Sequence, residues 1–577
     1  MRDAAARAGT AAAALWLLLC VRWFDAAAAW RPAALAAIPP AVLLVAFLAA
    51  LGLWLRGRLA LLRGAPLGDA ALGLVLVLAL AFFFRLPVVI GGAAAAVTAD
   101  GALSGIVALH LLDGSERLVF VPQVPYSGSL KSHLTALLAL ALEPARAFAL
   151  ASVLFYLAHV AGVMRLALLV SSPPAAVAAG LYAAFSPAFV TRYSLSNDGN
   201  YVELLALGTW ALWLGARAVL EPEPRGRLAL AAGLLLGLGF WCHILAVIHV
   251  AALALLLVAA LRLAAVAPLA SLGMGVALGY VPGWLWNLAN GWGSLLYLVP
   301  GQARSAGHEQ AAAGLSTGLG EKLRLMLTDH APVLLGYDTG YGPLVDRALL
   351  ALAWAGVAAA SLAFVHAALR AVRERSWALA ALLLFAVVNV AVALLALPHV
   401  PGNPRYVLFL MSVLPVLLAD AALGARAAPR RPALALLAIL IATGALASFA
   451  QVPPTLVQDA RWRSFVAELE GEGIRHCYTD FFLATRVNFL SSERVVCSAK
   501  LGPFTTEYFF AYREAVERAP DAALVPVNRT AARRIERRLA ELGVAYERRD
   551  LLKPVLFRLS RKVDPEELFP GRSFPMR

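Results

Sequence analysis

Asp100 and Lys131 bracket a loop that leaves one long apolar stretch and enters another. A carboxylate can take a proton and an ammonium can hold a phosphate, so the pair marks a place where chemistry is done on something lipid-borne. The loop opens as Thr98-Ala99-Asp100-Gly101 and closes as Tyr126-Ser127-Gly128-Ser129-Leu130-Lys131. The run before it is interrupted only by Asp69 and Arg85. Lys131 and Lys322 are the only lysines in the first 450 residues of a chain that otherwise carries its positive charge as arginine.

Other polar residues gather where apolar runs end. Thr191 to Asn200 carries Arg192 and Asp198, and Glu203 follows about one helical turn inside the next run. A carboxylate there costs on the order of 2 to 3 kcal/mol unless it faces a polar cavity. The other reading is that Glu203 snorkels to the interface or pairs with Arg192. Arg405, after Pro398-His399-Val400-Pro401-Gly402-Asn403-Pro404, either holds a phosphate bidentately or anchors a helix at the interface. His243 and His249 are packing histidines or ligands. Phosphate-cradling glycine loops with a lysine, paired Cys-x-x-Cys and His-Glu-x-x-His are all missing from the sequence, which disfavours nucleotide hydrolysis and structural zinc.

The elements that must position these residues are membrane helices. Hydrophobic residues make up 61%, charged residues 15%, and mean hydropathy is +0.76, more apolar surface than one soluble core can hide. The charge of +14, from 49 Lys+Arg against 35 Asp+Glu, is scattered over short connections rather than gathered on one face. That pattern implies contact with anionic membrane lipids and no nucleic-acid partner. Spans are expected near 33 to 55, 68 to 90, 146 to 164, 173 to 190, 201 to 219, 228 to 241, 245 to 261, 265 to 284, 347 to 366, 378 to 397, 405 to 423 and 432 to 450. Arginines cluster on alternate connections, at 56 to 63, 225 to 227, 370 to 375 and 426 to 431, which places those inside and the Asp100, Asp198 and Arg405 loops outside. A further apolar stretch at 11 to 20 is an additional span or a signal peptide.

Three regions follow: N-terminal membrane segments over 1–67, a transmembrane catalytic region over 68–450, and an extracytoplasmic soluble domain over 451–577. In the last, the periodic apolar runs give way to strand-like pieces at 494–497 and 523–527 and a helix from 528 to 542. Cys477 and Cys497 can form a disulfide in an oxidising compartment, while Cys20 and Cys242 are inert membrane cysteines. Asn528-Arg529-Thr530 fits a glycosylation acceptor by chance.

Taken in order, Asp100, Pro125 to Lys131, Ser194 to Glu203, Gly279 to Asn287, Arg405-Tyr406, Tyr478 to Phe482 and Asn488 to Ser491 resemble the large membrane glycosyltransferases of the GT-C fold. The resemblance is to the bacterial relatives of protein O-mannosyltransferases and of the lipid A aminoarabinose transferase, and it covers almost the whole chain. It implies an all-α polytopic protein of about 11 to 13 transmembrane helices with a small C-terminal extracytoplasmic α/β domain, in a bacterial cytoplasmic membrane. It further implies transfer of a sugar from a polyprenyl-phosphate donor to a cell-envelope acceptor. By that resemblance Asp100 is the catalytic carboxylate and Lys131 the phosphate-contacting lysine; by residue type Arg192 and Arg405 join Lys131 in binding the substrate phosphate, and Asp198 or Glu203 binds substrate in place of a second carboxylate. The family often has Asp-Glu where this chain has Asp100-Gly101, which leaves dependence on a divalent metal open. Asp100 as a mere helix N-cap is the competing reading of that residue. A transporter or lipid flippase is the rival function.

Overall fold

The computed structural model describes residues 2–56, 70–196, 199–222, 225–296, 318–397, 399–424, 431–502 and 505–569. Asp198, and the arginines at 58, 63, 426 and 430, fall outside them. The long apolar runs form helices because a helix satisfies its own backbone groups where no water can. They are α1 Arg2–Trp23, α2 Pro40–Arg56, α3 Ala70–Gly91, then outside the bundle α4 Ala93–Ala96, α5 Ala99–Asp113 and α6 Leu130–Ala139. The bundle continues with α7 Pro144–Val170, α8 Pro173–Ala184, α9 Ala188–Ser196, α10 Tyr201–Leu220, α11 Arg225–Cys242, α12 Ala246–Leu261 and α13 Val266–Gly279. It closes with α14 Pro343–Glu374, α15 Trp377–Ala396, the 3₁₀ segment Arg405–Ser412 leading into α16 Leu414–Leu423, and α17 Arg431–Ala450.

By length and composition, eight helical runs among the described residues can cross a membrane, or ten if two bent pairs each count as one span. One of the eight, Ala246–Gly279, is two crossings. Leu204 lies beside Gly239 and Ala218 accepts from Arg225, so α10 and α11 are antiparallel. Gly208 meets His249 and Gly215 meets Leu253, which makes α10 and α12 parallel. Gly233 meets Leu272 and Gly237 meets Val276, which makes α11 and α13 parallel. The chain therefore reverses between α12 and α13, at the 3₁₀ turn Arg262–Ala265 where Arg262 has φ 53°. Glycines at 233, 237, 275 and 279 let α11 and α13 approach backbone to backbone, the close packing that small residues permit in lipid. With this reversal, residues 70–450 make eleven crossings among the described residues.

The span expected over 173 to 190 is broken rather than continuous. α8 and α9 meet at 72° around Phe185-Ser186-Pro187, because proline disfavours helix in the residue before it. Arg85 of α3 closes this break. Its guanidinium is fully buried and donates to the Ala184 carbonyl at 2.9 Å, the Ala81 carbonyl at 3.0 Å and Ser194 Oγ at 2.6 Å, with the Tyr156 ring 4.2 Å away. The last carbonyls of a helix lack partners within it, and a cation suits the negative end of the helix dipole.

After α17, α18 Val452–Gly471 leads into a five-stranded mixed sheet of order β4-β3-β5-β7-β6, following β1 Phe120–Val121 and β2 Val124–Gly128 in the outer loop. Its strands are β3 His476–Tyr478, β4 Val496–Ser498, β5 Ala523–Leu524, β6 Glu547–Asp550 and β7 Pro554–Phe557. Cys477 and Cys497 face each other on parallel neighbours β3 and β4, with Cα atoms 4.4 Å apart, and are disulfide-bonded. The helix expected over 528 to 542 forms as Arg529–Glu541, and Asn528 caps it by accepting from the Ala531 amide. α5 is buried on every side from Gly101 through His110. The reason is that one apolar core joins Val97, Ala102, Ile106 and Val107 to Trp462, Phe465, Phe489 and Val555 of the C-terminal region.

Candidate active site

α5 begins with Thr98, whose hydroxyl accepts from the Gly101 amide at 3.1 Å, so Thr98 is the N-cap and Asp100 sits exposed in the first turn. Capping therefore does not account for Asp100. Its neighbour Gly101 is buried: a methyl group there would lie 3.2 Å from the Phe148 ring and 3.2 Å from the Ser196 carbonyl oxygen. Lys131, in the first turn of α6, is fully buried, with Nζ 3.4 Å from that same Ser196 oxygen and 3.4 Å from the centroid of the same Phe148 ring. The start of α5, the start of α6 and the end of α9 thus converge on one point.

Asn200 holds the chain beyond that point in place. In the left-handed region at φ 64°, which asparagine tolerates, it donates to the carbonyls of Gly128 at 2.7 Å and Cys242 at 3.0 Å. Gly128 is required there, since a Cβ would meet the Trp241 carbonyl oxygen at 2.0 Å. Glu203, one turn on, is fully buried rather than snorkelling to an interface.

Arg405 opens the 3₁₀ segment on the other side of α9 and α10. Its Nη2 donates to Tyr406 Oη at 3.1 Å, and its Nε is buried with no hydrogen-bond partner among the described residues. Around it stand Tyr193, Tyr201 and Tyr406, with Tyr201 5.0 Å from His243 and His243 5.7 Å from Tyr126. A buried guanidinium donor left unsatisfied costs free energy unless an acceptor arrives, so the place is suited to an oxyanion among aromatic hydroxyls. The sequence marked Arg405 and missed the tyrosines. His243 belongs to this aromatic group, whereas His249 packs on Phe385 and Phe409.

Arg192 is not part of the Arg405 group. It projects from α9 toward a cavity of about 430 Å³ shared with Thr98, its guanidinium near the rings of Phe189 and Tyr193 at 5.3 and 5.5 Å. Asp198 lies outside the described residues. The crowding at Gly101 leaves no room for the second carboxylate that Asp-Glu would supply. Among the described residues no three His, Cys, Asp or Glu side chains come together as ligands for an ion.

No protein-family profile and no curated protein matches the chain by sequence. By structure it is similar to ArnT from Cupriavidus metallidurans, solved bound to undecaprenyl phosphate, over 85% of this chain and 98% of that one, at a TM-score of 0.54 and 11% identity. It also aligns with the oligosaccharyltransferase AglB from Archaeoglobus fulgidus, solved with an inhibitory peptide and a dolichol-phosphate, over 80% and 70% of the two chains at a TM-score of 0.47 and 14% identity. The chain has the GT-C fold.

Proposed function

We propose that this protein is an integral-membrane glycosyltransferase that moves a sugar from a polyprenyl-phosphate donor to a cell-envelope acceptor at the outer face of a bacterial cytoplasmic membrane. The observation that carries the reading is the convergence at Ser196, where the turn bearing Asp100 meets the buried ammonium of Lys131. The acceptor hydroxyl attacks the anomeric carbon, the bond from that carbon to the phosphate oxygen breaks, and the phosphate leaves with the electron pair. The acceptor's proton passes to the Asp100 carboxylate. Lys131 and Arg405 hold the phosphate as its charge grows, and preorganised cations of this kind contribute about 3 kcal/mol in a transition state. The disulfide in the C-terminal region suits an oxidising compartment, which supports the outer placement of that end.

Two broken spans also suit a transporter or flippase. Here, however, the breaks deliver Tyr193 and Arg405 to the same end of the bundle as Asp100. Purified protein given a radiolabelled polyprenyl-phosphate sugar and membrane extract separates the readings. A transferase releases free polyprenyl phosphate and labels an acceptor. A flippase moves the donor unchanged. Asp100→Asn should lower transfer by roughly 10² to 10⁴-fold while donor binding persists, and wild-type transfer by that variant would end the assignment.

A further inference from the structure

The C-terminal region carries α19 Phe481–Leu490 and α20 Arg529–Glu541. Arg529, Arg533, Arg534 and Arg537 of α20 are exposed. Arg529, Arg533 and Arg537 follow at steps of four, so they stand in one row with about 6 Å of helix axis between neighbours. The carboxylates on α20 are engaged elsewhere, Glu536 by Arg548 at 2.7 Å and Glu541 by Arg538 at 2.7 Å. Among the described residues, none of the four exposed arginines makes an ion pair. Like charges four apart on a helix repel, a cost that a polyanion lying along the row removes.

A cavity of about 310 Å³ opens beside the start of this row, among Leu501, Gly502, Asn528, Thr530, Arg534 and Phe569, and no carboxylate among the described residues lines it. Its position follows from the topology of the sheet. β3 runs parallel to both β4 and β5. The helix after β3, α19, packs with Cys477, Ala523 and Val555 in the core shared with α5. The helix after β5, α20, packs through Ile535 and Leu539 on Tyr478, Leu524 and Leu556 of the other face. The chain thus leaves neighbouring parallel strands toward opposite faces, which opens a crevice at their carboxyl ends, the place where open sheets bind ligands. The same topology puts α20 on the side of the sheet away from α5 and the bundle, so the arginine row faces away from the lipid around the spans.

We propose that the C-terminal region docks an acidic polysaccharide here, with one sugar in the cavity and the acid groups of its neighbours along the arginine row. Guanidinium groups hold the paired oxygens of acid groups, and a spaced row of them suits a chain with an acid on successive units rather than a single anion. The cavity has the volume of a small-ligand pocket. Asn528 and Thr530 supply hydrogen-bonding groups for sugar hydroxyls, and the Phe569 ring supplies an apolar wall, which favours a sugar over an acidic peptide. Lying across the sheet from α5, the place is one for docking and takes no part in the step at Asp100.

The test is fluorescence anisotropy of labelled decagalacturonate with the purified full-length chain in detergent. Wild type should bind saturably, and the methyl-esterified, uncharged decamer should not compete. The double variant Arg533→Gln/Arg537→Gln should bind at least about tenfold more weakly. Arg461→Gln/Arg475→Gln removes the same charge from exposed arginines elsewhere in the C-terminal region and should leave binding unchanged. Thr530→Trp, which puts an indole into the cavity, should weaken the decamer by a similar factor, with all three variants melting as wild type does. Absence of saturable binding overturns the site. Equal loss in the two double variants reduces it to net charge and overturns it as well, and unaltered binding in Thr530→Trp overturns the seat in the cavity. Equal affinity for polyglutamate or for a single-stranded oligodeoxynucleotide of matching charge overturns the polysaccharide. The assay contains no step at Asp100, so loss of the transferase reading through wild-type transfer by Asp100→Asn would leave this site standing, and failure here would leave that reading untouched.

Discussion

Gly101 shows why one carboxylate stands alone at the start of α5. With the Phe148 ring and the Ser196 carbonyl both 3.2 Å from where a Cβ would be, even alanine needs its neighbours to yield a little, and a glutamate has nowhere to go. Gly101→Glu is therefore expected to lower the detergent melting temperature and abolish transfer, and a variant melting with wild type would show that the packing yields. Lys131 closes a loop by sequence, yet its ammonium is fully buried, so removing it also tests packing. The cleaner substitution is Lys131→Met, which keeps the volume. It should raise KM for the donor at least about tenfold, by loss of a charge-assisted contact, and kinetics at unchanged KM would remove Lys131 from the phosphate. Charged groups such as Asp100, Lys131 and Arg405 were legible in the sequence because charge at the end of an apolar run is costly and noticeable. Tyr193, Tyr201 and Tyr406 were not, because tyrosine at a membrane interface is ordinary, and only the bend between α8 and α9 brings them to one guanidinium.

Helix positions were legible for the same reason that they form, the length of each apolar run. The breaks were less so. The span after α7 was read as continuous across Ser186-Pro187, and the partner that closes its break, Arg85, is about one hundred positions away and looked like a mere interruption of α3. Arg85→Met should cost about 3 kcal/mol, since two carbonyls and the hydroxyls of Ser186 and Ser194 lose their donor inside the protein. Thermal unfolding in detergent measures this, and a loss below roughly 0.5 kcal/mol, the range of neutral surface changes, would mean that the break needs no lock.

At the scale of the molecule, the C-terminal region was legible as a change of composition, but its seat on α5 was not, since no periodicity reports which distant surface covers a helix. The polar contact of that seat is His110. Burial alone would lower its pKa, but hydrogen bonds to Glu116 at 2.8 Å and Glu493 at 3.0 Å, with their charges, raise it from 6.5 to about 9. A folded-state pKa above the unfolded one means stabilisation that is complete below about 6.5 and lost as pH rises through about 9, worth at most about 3 kcal/mol. Melting temperature should thus fall between pH 6.5 and 9 more steeply in wild type than in Glu493→Gln, and parallel curves would exclude the pair as the cause. Orientation is testable too. Cysteines placed at Ser115 and Arg373, in a background without Cys20 and Cys242, should differ in labelling by an impermeant thiol reagent applied from outside, and equal labelling would defeat the topology.

The core shared by α5 with Trp462, Phe489 and Val555 has a consequence for biosynthesis. A ribosome threads Asp100 out of the membrane some 455 residues before Val555, the last of these residues over its helix, has been made. During that interval α5 rests on Phe148 of α7 and Ser132 of α6, while the apolar face that Trp462, Phe489 and Val555 will cover stays open. The turn that bears Asp100 therefore gains its full cover only once β7 has been made, and a chain cut short before β7 keeps its spans but leaves that face of α5 open.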